Sequence, residues 1–220
     1  MLPELLQLQQ MIEQAPAQLR TQVLTKVPHM TEKLPVYALA LGKQDKTLPA
    51  VVLVGGVHGL ERIGTQVVLA YLQTLLNRLP WDLCLQHTLE HCCIYFIPLL
   101  NPAGMANGWR ANGNSVDLMR NAPVDCTEGA AWLVGGQRIS RAIPWHRGNA
   151  ARMEAESQAL VDFIQRELFD RPFSLVLDCH SGFGTTDRLW FPYAKSKRQP
   201  IAHLAEMYRL RQLLFQSYPH

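Results

Sequence analysis

At 220 residues, with 48% hydrophobic and 18% charged positions, the chain can bury one sizeable core and is too apolar to be disordered. A net charge of +3 is too small an excess to mark a nucleic-acid binder, and no apolar run reaches the roughly 18 residues of a membrane helix. Five cysteines, two of them adjacent (Cys92, Cys93), do not make an even, spaced disulfide framework. The first 20 residues carry Glu4, Glu13 and several glutamines, where a secretory signal has a basic start and an unbroken apolar stretch. The expectation is a soluble, cytoplasmic, globular protein without nucleic-acid or membrane partners.

Leu2, Leu5, Leu6, Leu8, Met11 and Ile12 are spaced to share a helix face and predict an amphipathic helix over 2–25. That helix makes residues 1–34 a helical lead-in to a main domain over 35–220. Pro35 precedes the apolar run 36–41, and Gly42 and Lys43 open a polar turn. Val51-Val52-Leu53-Val54 predicts a strand buried on both faces, ended by Gly55-Gly56. The period turns helical over 61–79. A strand follows over 92–99, closed by Asn101-Pro102, and then a long loop rich in glycine, asparagine and proline over 104–148. Long loops on a compact domain usually carry function. Further along, 153–168 and 201–217 read as helices, and 173–177 and 188–193 as strands. This alternation predicts an α/β fold: a mixed, mostly parallel sheet flanked by helices.

In such sheets ligands lie beyond the carboxyl ends of the strands. Three polar segments fit that placement: His58 after 51–54, Asn101 after 92–99, and Asp178-Cys179-His180-Ser181 after 173–177. His58-Gly59-Leu60-Glu61 puts an imidazole and a carboxylate one helical turn apart, able to reach one ion. With His180 they make two histidines and one glutamate, the ligand set of catalytic rather than structural zinc, with a fourth position left for water. Arg110 and Arg120 in the long loop suit carboxylate or oxyanion recognition, because guanidinium forks bind carboxylates bidentately.

His58-x-x-Glu61, Asn101-Pro-x-Gly104, Arg110-x-Asn112, Val116-Asp117-Leu118-x-Arg120-Asn121 and Asp178-x-His180-Ser181, in that order, resemble the signature of the carboxypeptidase A-type zinc metallocarboxypeptidases. The resemblance runs from about 36 to 193. It implies zinc held by His58, Glu61 and His180, with Asp117 orienting a ligand histidine. It further implies Arg110 on the oxyanion and Arg120, with Asn121, on the substrate's terminal carboxylate. The implied reaction is hydrolysis of a C-terminal peptide or amide bond by zinc-activated water. Two positions depart from the family pattern: Met119 stands where an asparagine donor is usual, and Leu60 where many members carry arginine. Related branches, resembling aspartoacylase and succinylglutamate desuccinylase, use the same site on small acylated amino acids, and bacterial cell-wall peptide amidases are another branch.

The resemblance also implies a glutamate base well beyond the second histidine. After His180 the only acids are Asp187 and Glu206, and neither resembles it, Glu206 falling on a solvated helix face. The expectation is that these 220 residues are part of a longer polypeptide that continues to the base. The rival is a metal-binding relative without turnover. His87-Thr88-Leu89-Glu90-His91 matches a His-x-x-Glu-His zinc pattern that requires a helix. Pro80 and Trp81 just upstream, and the strand just downstream, predict no helix there, so these residues read as structural. Cys92, Cys93 and Cys179 read as small buried hydrophobes, Cys179 facing away from His180. No Gly-x-Ser-x-Gly elbow or phosphate-binding Gly-Lys-Ser/Thr loop occurs.

Overall fold

The structure, a computed structural model, describes residues 2–182 and 186–218. Pro3–Glu13 forms α1, Arg20–His29 β1, Glu32–Gly42 β2, Ala50–Gly55 β3 and Arg62–Arg78 α2. Leu83–His91 is α3, Cys93–Ile97 β4, Pro102–Asn107 α4, Ala155–Leu168 α5, Ser174–Cys179 β5 and Leu204–Ser217 α6. Among the described residues the strands make one sheet in the order β1-β2-β4-β3-β5. β1, β2 and β4 run antiparallel in turn, whereas β4, β3 and β5 are parallel.

Strand periodicity divides the core between the two faces of this mixed sheet. Leu39 and Leu41 of β2 and Phe96 of β4 face one side, under Val68, Leu69, Leu72 and Leu75 of α2 and Leu85 and Leu89 of α3. Ala38 and Ala40 of β2, Val52 and Val54 of β3, and Tyr95 and Ile97 of β4 face the other, under Phe163 and Leu168 of α5. The central strands are buried on both faces because helices cover both. Each fully buried Leu or Phe contributes about 1.5–3 kcal/mol relative to exposure. α1 docks at the edge through Leu2 and Leu5, and Arg62 at the start of α2 donates to Glu4 of α1 at 2.5 Å.

Three segments differ from the sequence expectation. The helix expected over 2–25 ends at Glu13. Pro16 has no N–H to donate and disfavours helical backbone at Ala15, and beyond it Thr21, Val23, Thr25 and Val27 alternate as a strand. β1 pairs with β2 from Arg20↔Ala40 to His29↔Glu32. This hairpin crosses the expected division at 34/35, so residues 20–34 belong to the sheet rather than to a lead-in. Residues 188–193 form no strand.

The third difference is α3, where an extended connection was expected. Asp82 caps it, its Oδ1 accepting from the Leu85 N–H at 3.0 Å while Arg78 donates to Oδ2. Leu85 and Leu89, one turn apart, bury the inner side. Pro80 and Trp81 lie before the cap and so interrupt nothing. The helix then passes into β4 through the single extended residue Cys92.

Candidate metal centre

β3 and β5 pair in parallel with Gly55 opposite Cys179, so their carboxyl ends open side by side. His58 lies three residues past β3, Glu61 at the N-cap of α2, and His180 one residue past β5. The strand register thus brings together residues far apart in the chain: the His58 and His180 rings are 4.7 Å apart at 83°. Asn101, at the end of the β4 connection, braces the same corner. Its Nδ2 donates to the Val57 carbonyl at 3.2 Å and its Oδ1 accepts from Gly104 N–H at 2.8 Å, fixing the backbone that leads into His58.

Gly64, in the first turn of α2, sits directly against β5: a Cβ there would lie 1.8 Å from the Cys179 carbonyl oxygen. Only a residue without a side chain lets helix and strand approach this closely. Gly64→Ala is expected to cost about 1–3 kcal/mol of stability and to weaken metal affinity with it, because the strand it displaces carries His180. Denaturant unfolding and a zinc titration check the two effects together.

Donor atoms of His58, Glu61 and His180 all lie within 4.8 Å of one another. His58 and Glu61 are buried, and His180 stands on the open side. His58 Nδ1 faces Glu61 Oε1 at 2.9 Å, and Nε2 faces Asp117 Oδ1 at 3.3 Å. Asp117 Oδ2 accepts from Arg110 Nε and Arg120 Nη1, both at 3.1 Å. Glu61 Oε1 also lies 3.4 Å from Arg110 Nη1, and Oε2 accepts from the Ser181 N–H at 3.0 Å. Asp178 Oδ1 lies 2.9 Å from His180 Nδ1.

Electrostatics follow from this network. Burial pushes the Asp117 carboxyl up, but the His58 hydrogen bond and the Arg120 and Arg110 guanidiniums outweigh it and hold it at about 2. Burial also works against charge on Glu61, yet the bonds from His58 and Ser181 leave its pKa lowered. Burial disfavours charge on His58 as well, and the carboxylates of Asp117 and Glu61 reverse that and raise its pKa. Ionised Asp117 can only accept, so the His58 Nε2 proton points to it. The Nδ1–Glu61 side then needs a cation, either a proton or a metal ion. Two imidazoles, a buried carboxylate and an outer carboxylate fixing one ring match a zinc site with an open side.

The long loop is built around two amide side chains. Asn112 Oδ1 accepts from the N–H groups of Asn114 and Val116, both at 3.0 Å, and its Nδ2 donates to Glu154 and Glu156. Gln137 bonds the backbone of Ile139, Ser140 and Ile143. Together they shape a cleft of about 620 Å³ beside Arg110 and Asp117, walled by Trp109, Ile143, Pro144 and Trp145. Glu156 is buried behind it. Burial raises its pKa and neighbouring Glu154 adds to the rise, against the opposing bonds from its own N–H and Asn112. An acid raised in this way contributes stability that is fully present below its unfolded pKa and is lost as pH rises through the folded value. Glu156→Gln is therefore expected to raise Tm by about 2–4 °C at pH 8, equivalent to about 1 kcal/mol, and to leave it unchanged near pH 4, by calorimetry.

The remaining expected residues are placed differently from one another. Arg110 reaches the cleft with its side chain 37% exposed. Arg120 is more enclosed, its Nε donating to the Val134 carbonyl at 2.9 Å. Asn121 does not face the site: its Nδ2 donates to the Arg147 carbonyl and its Oδ1 accepts from Glu154 N–H, so it ties the loop to α5. Leu60 and Met119 are both about half exposed. Glu206 pairs with His203 on the exposed side of α6. Asp187 lines a surface depression with Arg211 and Phe215. Cys179 packs against the core while His180 opens to the site. Four residues that position the site have no role assigned from sequence. Gly64 and Gln137 leave no local signal, whereas Asn101 and Asp178 stood in quoted motifs without an assigned role.

Comparisons with known proteins bear on the family and the fold. The zinc carboxypeptidase family profile matches residues 8–218. Carboxypeptidase B of Bos taurus is 24% identical over 179 residues, covering 75% of this chain and 40% of that protein. Carboxypeptidase E of Caenorhabditis elegans is 35% identical over 95 residues, covering 37% of this chain and 20% of that one. The crystal structure of carboxypeptidase A from Helicoverpa armigera superposes with a TM-score of 0.70 at 21% identity, over 95% of this chain and 51% of its own, so the fold is shared. The chain spans about half the length of that structure and less of the two relatives. With motif order, ligand geometry, profile and fold in agreement, the chain belongs to the zinc carboxypeptidase family.

Proposed function

We propose that this chain carries the zinc site of a metallocarboxypeptidase that hydrolyses the C-terminal peptide or amide bond of a peptide. The observation that carries the reading is the convergence of His58, Glu61 and His180 with Asp117 behind His58. Zinc, when held by those three, supplies Lewis acidity that brings a water's pKa to about 7 and polarises a carbonyl.

The chain's own residues do the rest. Asp117 takes the His58 Nε2 proton's hydrogen bond and so keeps Nδ1 turned toward Glu61. Arg110 stands at the cleft mouth with donors for negative charge developing on the substrate carbonyl oxygen. Arg120 provides the cation for the substrate's terminal carboxylate, with Met119 adding no hydrogen bond beside it. Asn121 is left out of this assignment, since both ends of its amide hold backbone. A peptide is favoured over a small acylated amino acid because the matched relatives are carboxypeptidases. We place the protein in the cytoplasm, a location consistent with five free cysteines; no described helix is long and apolar enough to cross a membrane.

The test is made on the whole protein with C-terminally free and C-terminally amidated peptides. Dialysis against a chelator is expected to abolish release of the terminal residue, and zinc to restore it. Arg110→Ala is expected to lower kcat about 10²–10³-fold with zinc content unchanged. Release that persists without metal, or an Arg110→Ala enzyme at native rate, overturns the reading.

A further inference from the structure

Among the described residues, a second cluster of metal-binding side chains lies on α3, where the sequence predicts no helix. His87, Glu90 and His91 each offer a donor atom within 4.8 Å of the others', and all three are exposed. We propose that this face of α3 is a second metal site, in which His87, Glu90 and His91 hold one imidazole-preferring transition-metal dication such as zinc, nickel or copper.

Helix geometry supplies the first reason. Residues i, i+3 and i+4 stand over one another on a single turn, and the His87 and His91 ring centroids are 4.5 Å apart. Glu90 Oε2 lies 3.9 Å from His87 Nδ1, within reach of a shared ion. The second reason is the tautomer of His91. Its Nδ1 is 2.9 Å from the His87 carbonyl oxygen, which can only accept. The proton is therefore on Nδ1, and Nε2 keeps the lone pair that a metal needs. A backbone carbonyl that fixes the far nitrogen of a ligand histidine is the usual support of metal sites.

The backbone beneath the cluster is also fixed. Asp82 caps the start of α3, Leu85 and Leu89 bury its inner face, and the Leu89 carbonyl accepts from the Lys43 N–H at 3.0 Å. His91 is the last residue of the helix, where the carbonyl end of the helix dipole favours a cation. Two imidazoles and one carboxylate select borderline metals over magnesium or calcium, which take oxygen ligands.

This site is separate from the first. α3 feeds the amino end of β4, whereas His58 and His180 lie past the carboxyl ends of the parallel strands β3 and β5. Five residues of strand at about 3.3 Å each put roughly 16 Å of sheet between the two ends. The turn that would hold the ion leads straight into the middle of the sheet, so occupancy is expected to stiffen that junction rather than take part in chemistry at His58.

Equilibrium dialysis of the whole protein against zinc, with the His87→Ala/His91→Ala variant beside it, reads the site as a difference. The native protein is expected to bind one zinc more per chain than the double variant. Glu90→Gln is expected to keep that extra zinc but weaken it about tenfold or more, the low end of what even an outer-shell partner costs. Magnesium in place of zinc should show no difference between native and variant. The His58–Glu61–His180 site and all five cysteines are common to both proteins, so the difference holds whatever the first site does. All three positions are exposed, and equal Tm values in metal-free buffer verify the variant's fold. Should the double variant not match the native Tm, His87→Gln, which leaves the His91–carbonyl bond in place, gives the same reading. Equal zinc stoichiometry in native and variant, or an equal difference with magnesium, overturns the proposal.

Discussion

His58→Ala is expected to leave the protein without zinc at the His58–Glu61–His180 site and to lower kcat/KM for peptide hydrolysis at least about a thousandfold. Metal Lewis acidity is worth several kcal/mol in the transition state, and each 1.36 kcal/mol is tenfold in rate. The fold is expected to survive, because Arg110 still bridges the two carboxylates that His58 now joins, at 3.4 Å to Glu61 and 3.1 Å to Asp117. His180→Ala is the companion experiment. That ring stands on the open side of the site, so its loss should remove zinc with almost no change in the Tm measured in metal-free buffer. Zinc content by elemental analysis and initial rates on one peptide check both. Retention of a full equivalent of zinc by both variants, after metal bound elsewhere is counted, would refute the ligand assignment.

Asp117→Asn is expected to have the largest effect on stability, about 3 kcal/mol or roughly 10 °C in Tm. The carboxylate is 2% exposed and is the shared acceptor for His58, Arg110 and Arg120. An asparagine cannot replace it in either orientation of the amide. With its NH2 group toward the guanidiniums, buried donors oppose one another; with it toward His58, the ring is forced into the tautomer that carries its proton on Nδ1, facing Glu61, and loses the lone pair that a metal needs there. Zinc affinity should fall with it by about 10–100-fold, since His58 loses the partner that fixes its ring. Asp117→Glu keeps the charge but not the reach, and is expected to fall between the two. Thermal unfolding with and without zinc separates the structural loss from the loss in metal binding. A variant with native Tm and native zinc affinity would show that Asp117 is not the keystone of this network.

The chemistry was readable where short motifs carry it. His58-x-x-Glu61 lies within one turn of chain, and the ligand set needs only residue type and order to suggest zinc. The central strands were readable too, because burial on both faces leaves an unbroken apolar run at 51–54 and 92–99. β1 was not, because Leu2 to Ile12 set a helical period that was extended past Pro16, the residue that ends it. α3 was missed for the opposite reason. Its two buried leucines are too few to mark a helical period, and the proline lies two residues before the Asp82 cap, where it interrupts no helical hydrogen bond.

The sequence alone determined the family, the zinc that the family implies and the α/β class, and it marked the three residues proposed as ligands, since each rests on local residue identity or on a burial pattern that repeats along the chain. Tertiary structure decided how these residues meet. The parallel register that sets Gly55 against Cys179, the glycine at 64 that lets α2 touch β5, and the turn of Asn121 away from the cleft all depend on contacts between distant segments. Such contacts are fixed by close packing and by the pairing of buried polar groups, which a linear pattern does not record.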